Sequence, residues 1–300
     1  MAGIYVVILD VNVQSMLART AAGFFSKKLD TEVKIKTFYI QPDLSVHAEE
    51  VQINDKKHLP MLYVGEMNGK ISLTDIADEL RVKSLIMDDV LVNIVTYEDE
   101  YTTNLAELFA TNDEKPKEKH NPKIYLDKLH MSNGHVVVWD QNKDKPEKES
   151  MDYSHLDVDS IHLSMENMSF LGDTISGVIS RLSATDKSGF KIDRLASSSP
   201  FIVSSRLLDF KNLNLTSHST DLDLDLKFIY SNYKDYRKFV DSVMIIANIR
   251  PSQLTLSDLR YFSPKMSMMT DTLQIKGLIS GCVNDFTANK FSFSFKDSTS

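Results

Sequence analysis

Residues 11–35 read VNVQSMLARTAAGFFSKKLDTEVKI and contain the change of pattern that decides the fold. Apolar side chains first recur at helical spacing, so one side of a helix over residues 14–29 is apolar. These side chains are Leu17, Ala21, Phe24 and Phe25. From Val33 the apolar residues fall at every second position, as half-buried strands require, and this period continues to residue 73. The stretch predicts one amphipathic helix that leads into a succession of strands.

The rest of the chain repeats the strand pattern. Alternating apolar residues predict strands at 82–97, 124–129, 136–139, 156–168, 175–182, 190–195, 201–208, 213–216, 222–230, 273–283 and 291–295. Asp88 and Asp89 mark a turn or bulge inside the first of these segments. Short helices are expected at residues 74–80, 104–110, 235–243 and 257–262. The predicted fold is mainly β with a few short helices.

Two polar segments divide the strands. Residues 113–123 carry charges of both signs and two prolines, and have no apolar side chain to bury, which predicts a solvated loop. A second polar insertion covers residues 140–150. The first of them, 113–123, separates a first β segment at 30–112 from a second at 124–300, and the insertion at 140–150 lies within the second.

Composition excludes some classes of protein. A chain of 300 residues with 42% hydrophobic residues is long enough for one large or two medium domains. Its net charge of −8 argues against a nucleic-acid binder, which needs a clustered basic face. Cys282 is the only cysteine, so an intramolecular disulfide is excluded.

Metal sites are not predicted. Asp221, Asp223 and Asp225 alternate with leucines, but an EF-hand needs Gly and Glu where Leu226 and Asn232 stand. The aspartates are therefore expected on the outer face of a strand. His130 and His135 flank residues 132–134, Ser-Asn-Gly, which suggest a tight turn between neighbouring strands. Nearby Cys or paired His ligands that would complete a zinc site are missing.

Catalytic motifs are missing as well. The sequence has no Gly-x-Ser-x-Gly elbow and no Gly-rich phosphate loop. Its acidic pairs lie in polar loops, with nothing to raise a pKa for acid catalysis. We predict that the chain is not an enzyme and that it carries no cofactor.

Several short motifs follow one another in a characteristic order along the chain. Val13-Gln14 precedes the helix, Ser26 to Leu29 closes it, and Thr31, Val33 and Ile35 open the first strand. Later motifs are Ser-Gly-Phe at 188–190, the 236–243 helix, the 258–264 segment ending in Pro264, and Gly277 with Gly281 between strands. This order resembles the N-terminal region of the TamB and AsmA-like family of envelope proteins. Two departures are the missing proline before Val13 and Asp30 in place of a helix-ending glycine, which Asp replaces with little strain.

The resemblance implies a function and a location. It implies an elongated, curled sheet, shaped like a groove or a taco, whose apolar face carries phospholipid between inner and outer membranes. The protein would be periplasmic in a diderm bacterium, anchored to the inner membrane, and could partner an outer-membrane barrel protein of the assembly family. Residues 2–9 are too short to span a bilayer. By resemblance they look like the inner end of a membrane anchor. Residues 1–29 would then be the remnant of that anchor followed by the amphipathic helix, and the chain would be truncated at both ends.

Lipid-contacting residues follow from the strand pattern combined with the resemblance. The expected groove residues are Leu222, Leu224, Leu226, Phe228, Phe291, Phe293 and Phe295. Leu17, Ala21, Phe24 and Phe25 are the expected membrane-proximal face of the helix. One alternative fold is a two-layer β protein whose apolar faces pack on each other, and a less favoured one is an outer-membrane barrel. The alternative function is an interaction scaffold that assists outer-membrane protein assembly or secretion by pairing strand edges.

Overall fold

The computed structural model describes residues 11–41, 43, 45–72, 79–109, 123–144, 151–231, 235, 239–261 and 268–295. Within these ranges the side chains of residues 11–14, 17, 24, 25, 28, 108, 109 and 240 are outside the description. The chain forms two compact units. The N-terminal unit holds residues 1–120, 129–146 and 152–162, and the C-terminal unit holds residues 121–128, 147–151 and 163–300.

The N-terminal unit begins with the predicted helix and continues with long strands. Its elements are α1 (Val11–Leu29), β1 (Val33–Ile40), β2 (Ser45–Asn54), β3 (Pro60–Ser72), β4 (Glu79–Thr96), α2 (Asn104–Phe109), and parts of β5 (Lys123–Asp140) and β6 (Asp157–Leu171). β1 to β4 pair in chain order, each antiparallel to the next. A core cluster of Ala48, Val51, Val64 and Val90 lies across β2, β3 and β4.

The C-terminal unit takes the remaining parts of β5 and β6 and adds eight strands. Its further elements are β7 (Thr174–Asp186), β8 (Lys191–Ser197), β9 (Phe201–Val203), β10 (Leu207–Ser217), β11 (Thr220–Ile229), α3 (Phe239–Ser242), β12 (Met244–Thr255), a 3-10 helix (Leu256–Tyr261), β13 (Thr272–Cys282) and β14 (Asp285–Phe295). The strand order is β7-β8-β10-β11-β12-β13-β14, and β9 pairs with β7 and β10.

The predicted fold class is confirmed: the chain is mainly β, with a few short helices inserted between antiparallel strands. In each unit the described strands belong to one hydrogen-bonded sheet, and most strands pair with their sequence neighbours, except that β8 pairs with β10 while β9 pairs with β7 and β10. The described strands therefore do not form the two separate sheets of a β-sandwich.

Helix α1 ends as the sequence predicts. Asp30 has a φ of 53°, in the left-handed region, and the Thr31 N–H donates to the Ser26 carbonyl at 3.1 Å. This six-to-one hydrogen bond is the Schellman arrangement that usually carries glycine. The Ser26 hydroxyl also accepts from the Val33 N–H at 2.8 Å, so the last turn of α1 is fastened to the first residue of β1.

Left-handed residues stand inside two long strands of the N-terminal unit. Asp89 has a φ of 55° inside β4, so its backbone is irregular at the predicted position, but the pairing with β3 keeps its register there and the strand continues. The predicted tight turn between His130 and His135 is wrong, because both lie in the continuous strand β5, in which Asn133 has a φ of 51°. Asn adopts this left-handed conformation more readily than most residues, and the same property makes it common in tight turns.

The remaining predictions differ mainly in their boundaries. Helices are found at Asn104–Phe109, Phe239–Ser242 and, as a 3-10 helix, Leu256–Tyr261. The expected strands 124–129 and 136–139 form the single strand β5, which Lys123 begins, and Gly277 and Gly281 lie inside β13 instead of between strands. Most of the expected helix at 74–80 and most of the polar loop at 113–123 lie outside the described residues, and Glu79 begins β4.

Candidate functional site: an apolar concavity

One face of β11 carries the apolar side chains that the sequence assigned to a groove. Leu222, Leu224, Leu226 and Phe228 occupy alternate positions and so share a face. In the antiparallel register, Leu224 of β11 lies opposite Leu213 of β10 on one side and opposite Ile249 of β12 on the other. On the next strands, Ile275 of β13 lies opposite Phe293 of β14. Apolar side chains therefore continue across the strands from β10 to β14.

This face contains a concavity of about 480 Å³ whose described lining is entirely apolar. The lining residues are Leu222, Leu224, Ile249, Leu254, Leu256, Leu259, Leu273, Ile275, Ile279, Phe291 and Phe293. Leu222, Leu224 and Ile249 are only half-buried, whereas Ile275 in the floor is 7% exposed. Because a closed core would bury such side chains almost fully, this face is an open apolar surface.

Two helical insertions border this apolar face at opposite ends of β11, and the first of them lines the concavity. Leu256 and Leu259 of the 3-10 helix line it near the start of β11. At the other end of β11, the Phe228 ring meets the ring of Phe239 in α3 edge to face, with centroids 5.7 Å apart. With a wall at each strand end, the open direction of the apolar surface runs from strand to strand.

Strand β14 is the most exposed part of this surface. Phe293 and Phe295 are each 62% exposed, while Phe291 is 37% exposed and packs over Gly277. A second concavity of about 230 Å³ adjoins the first through Ile279 and is lined by Ile245, Gly281, Cys282, Val283 and Phe286. The apolar surface therefore extends along β13 and β14.

The structure brings together four of the seven predicted groove residues. Leu222, Leu224, Phe291 and Phe293 line the concavity. Leu226 lies on the same face opposite Ala247, Phe228 packs on α3, and Phe295 lies opposite Leu273 at the end of β14. The sequence prediction missed the lining residues of β12 and β13 and the two leucines of the 3-10 helix. The alternating pattern of residues 273–279 was a signal for the β13 side chains.

The opposite face of the same strands is polar. The Arg250 guanidinium donates to Asp223 at 2.6 Å and contacts Asp225 at 3.0 Å. Burial raises the pKa of Asp225, but the Asn212 N–H and Arg250 outweigh it and leave that pKa below its usual value. Asp221, Asp223 and Asp225 thus lie on the outer face as predicted. No group of three His, Cys, Asp or Glu in the described chain could hold a metal ion.

The N-terminal helix lies against β1. Ala18 is 2% exposed and Ala21 is half-buried, whereas Arg19 and Lys27 are exposed. The side chains of Leu17, Phe24 and Phe25 lie outside the described residues. Ala18, which the sequence prediction did not single out, is thus the best-buried described side chain of α1. None of the described helices combines the length and apolarity that crossing a membrane requires.

Comparison with known proteins finds no match: no family model, curated protein or solved structure is significantly similar to this chain. Function must therefore be inferred from the geometry of the chain and from its sequence motifs.

Proposed function

We propose that the apolar face of β11 to β14 binds the acyl chains of phospholipid. In this proposal the protein is the membrane-proximal part of an envelope-spanning conduit, located in the periplasm of a diderm bacterium and held at the inner membrane. The observation that carries it is the all-apolar described lining of an open concavity of about 480 Å³. Such a surface excludes charged ligands, because burying an unpaired charge costs several kcal/mol.

Size supports a hydrocarbon ligand. A water molecule occupies about 30 Å³ in the liquid, so the concavity has room for roughly 16 groups of that size. A methylene group is similar in size to water, and one long acyl chain therefore matches the available volume. Burial of apolar area supplies the affinity, at about 25 cal/mol per Å².

The orientation of the walls supports movement of the ligand from strand to strand. The 3-10 helix and α3 border the apolar face at opposite strand ends, near Leu222 and Phe228 respectively. An acyl chain lying between these two helices cannot move along the strand direction, but it can move across the sheet from one strand to the next. The phenylalanines of β14 continue the apolar surface in that open direction.

Attachment to the inner membrane rests on the motif resemblance and on α1. Arg19 and Lys27 are exposed on this helix and can contact anionic headgroups. Ala18 is buried, so the side of α1 that holds Ala18 faces the protein. The side of α1 that remains available to a membrane is the exposed one with Arg19 and Lys27.

A second candidate function is a scaffold that pairs strand edges with an outer-membrane protein during its assembly. β14 favours it, because it is last in the order of the described strands and all its residues are exposed. Edge strands of this kind accept an added strand readily.

Native mass spectrometry of the purified chain tests the lipid proposal. After incubation with phosphatidylethanolamine vesicles, we expect bound phospholipid in the wild type and at least about tenfold less in Phe293→Glu, because a charge there opposes burial of an acyl chain. Ser294→Glu is the matched control, since Ser294 is also exposed and lies on the other face of the same strand. A wild type that carries no lipid, or equal loss in both variants, rejects the proposal.

A further inference from the structure

The 3-10 helix that walls the apolar concavity is fastened by a buried polar contact. The Thr220 hydroxyl donates to the Asp258 carboxylate at 2.6 Å, and these residues are 6% and 9% exposed. Thr220 begins β11, whereas Asp258 lies in the middle of the 3-10 helix. The hydrogen bond therefore joins the wall to the strand that carries Leu222 and Leu224.

Thr220 also fixes the entry to the wall. Its hydroxyl oxygen accepts the Thr255 N–H at 3.1 Å, one residue before the 3-10 helix begins. The next N–H, that of Leu256, donates to the Asp271 carbonyl at 2.9 Å. One hydroxyl thus ties the start of the helix and its centre to β11.

The far end of the wall is held by an aromatic residue. Tyr261 is 5% exposed, stacks on the His218 ring with centroids 6.2 Å apart, and meets Phe190 edge to face at 5.6 Å. The His218 Nδ1 atom lies 4.0 Å from Asp258, so Asp258 faces both Thr220 and His218. The wall is consequently held along its length, and this places Leu256 and Leu259 at the concavity.

We infer that the Thr220–Asp258 hydrogen bond sets the width of the apolar concavity and thereby selects unbranched hydrocarbon chains over branched ones. Asp258 is a positioning residue, because Leu256 and Leu259 make the contact with the chain and Asp258 holds them in place. The inference rests on the proposed function, since it concerns which acyl chains the same surface accepts. Buried polar contacts suit this role because they specify one arrangement where apolar packing alone allows several.

Competition between two lipids with the same headgroup tests the inference. The protein is incubated with fluid vesicles containing equal amounts of palmitoyl-oleoyl and diphytanoyl phosphatidylcholine, and the bound lipids are counted by native mass spectrometry. We expect the wild type to prefer the unbranched lipid by about tenfold, and Asp258→Ala to lower this preference to about twofold. Thr220→Val should act in the same way, while Thr220→Ser, which keeps the hydroxyl, should retain the preference.

The outcomes separate the two proposals. A wild type that carries neither lipid rejects the proposed function. A wild type that carries lipid, with the same preference in Asp258→Ala and Thr220→Val, overturns the inference alone. Thermal unfolding of each variant is measured in parallel, and failure of both variants to fold would make the hydrogen bond a requirement of folding, which also overturns its role in selecting chains.

Discussion

Phe291 of β14 packs directly over Gly277 of β13. A Cβ atom added to Gly277 would lie 2.5 Å from the Phe291 Cα atom and 2.9 Å from its ring. Gly277 also has a φ of 145°, which side chains other than glycine rarely adopt. The register between β13 and β14 shifts at this point, so glycine makes possible both the bulge and the close approach of the phenylalanine.

Gly277→Ala should therefore detach β14. We expect a loss of at least about 2 kcal/mol in the free energy of unfolding, because backbone strain adds to the clash. Hydrogen exchange at the amides of residues 285–295 should accelerate together. Gly172→Ala is the control: its φ of 62° imposes strain, yet nothing lies within 4 Å of the added Cβ. Equal destabilisation in both variants would argue against the packing of Phe291 as the cause.

A buried carboxylate organises one corner of the N-terminal unit. Asp55 is 2% exposed and accepts hydrogen bonds from the Tyr97 hydroxyl, the Asn104 side chain and the backbone N–H groups of Lys57 and Leu59. Burial alone would raise the pKa of Asp55. The hydrogen bonds outweigh it, with Tyr97 first among them, and lower the pKa below its usual value.

This pKa shift predicts a pH-dependent contribution to stability. The folded pKa of Asp55 is below the unfolded value of about 3.9, so its contribution is complete above that pH and is lost as the pH falls through the folded value. Tyr97→Phe should cost about 1–3 kcal/mol at pH 7, because the carboxylate loses a buried donor. The cost should shrink at acidic pH, where Asp55 is protonated. Denaturant titrations of both proteins at several pH values measure this, and a pH-independent difference would contradict it.

Periodicity predicted the strands, but it could not place every lining residue of the concavity. Leu224 and Phe293 were recognisable because they alternate with polar residues within one strand. Leu256 and Leu259 lie in a 3-10 helix, whose position over the sheet depends on the contact of Asp258 with Thr220, 38 residues earlier in the chain. Contacts of this kind arise from folding across distant segments and leave no local period.

A left-handed residue inside a strand was the other source of error. The Ser-Asn-Gly sequence at 132–134 has the composition of a hairpin turn, and Asn133 does adopt the left-handed conformation that such a turn needs. The strand nevertheless continues, because Ser132 and Asn133 donate hydrogen bonds to Asp88 of the neighbouring strand β4. Local propensity thus identified the left-handed backbone conformation of Asn133 correctly. The contact with Asp88 of another strand determines that Asn133 lies inside a continuous strand and not in a turn.

The serine at the end of α1 offers a test of how this helix covers β1. Ser26→Ala removes the side-chain acceptor of the Val33 N–H, so we expect faster hydrogen exchange at Val33 and a loss of about 1 kcal/mol. Thr20→Ala is the matched control on the same helix, because its hydroxyl bonds only to the exposed Met16 carbonyl among the described contacts. If hydrogen exchange at Val33 rises equally in the control, the effect comes from destabilising the helix as a whole and not from loss of the hydrogen bond between Ser26 and Val33.

Two leucines that face each other can distinguish an open apolar surface from a closed core. Leu213 and Leu224 are directly opposite on β10 and β11 and share a face, but Leu213 is 6% exposed whereas Leu224 is half-buried at the concavity. In Leu213→Glu the carboxylate would be buried without a partner, which costs several kcal/mol, and we expect the C-terminal unit to unfold. In Leu224→Glu the carboxylate can stay hydrated, so we expect a loss below about 1.5 kcal/mol and a folded protein that no longer binds lipid. Circular dichroism melts of both variants give the comparison. Unfolding of Leu224→Glu to the same extent would mean that this face is a packed core, and the concavity could then not admit an acyl chain.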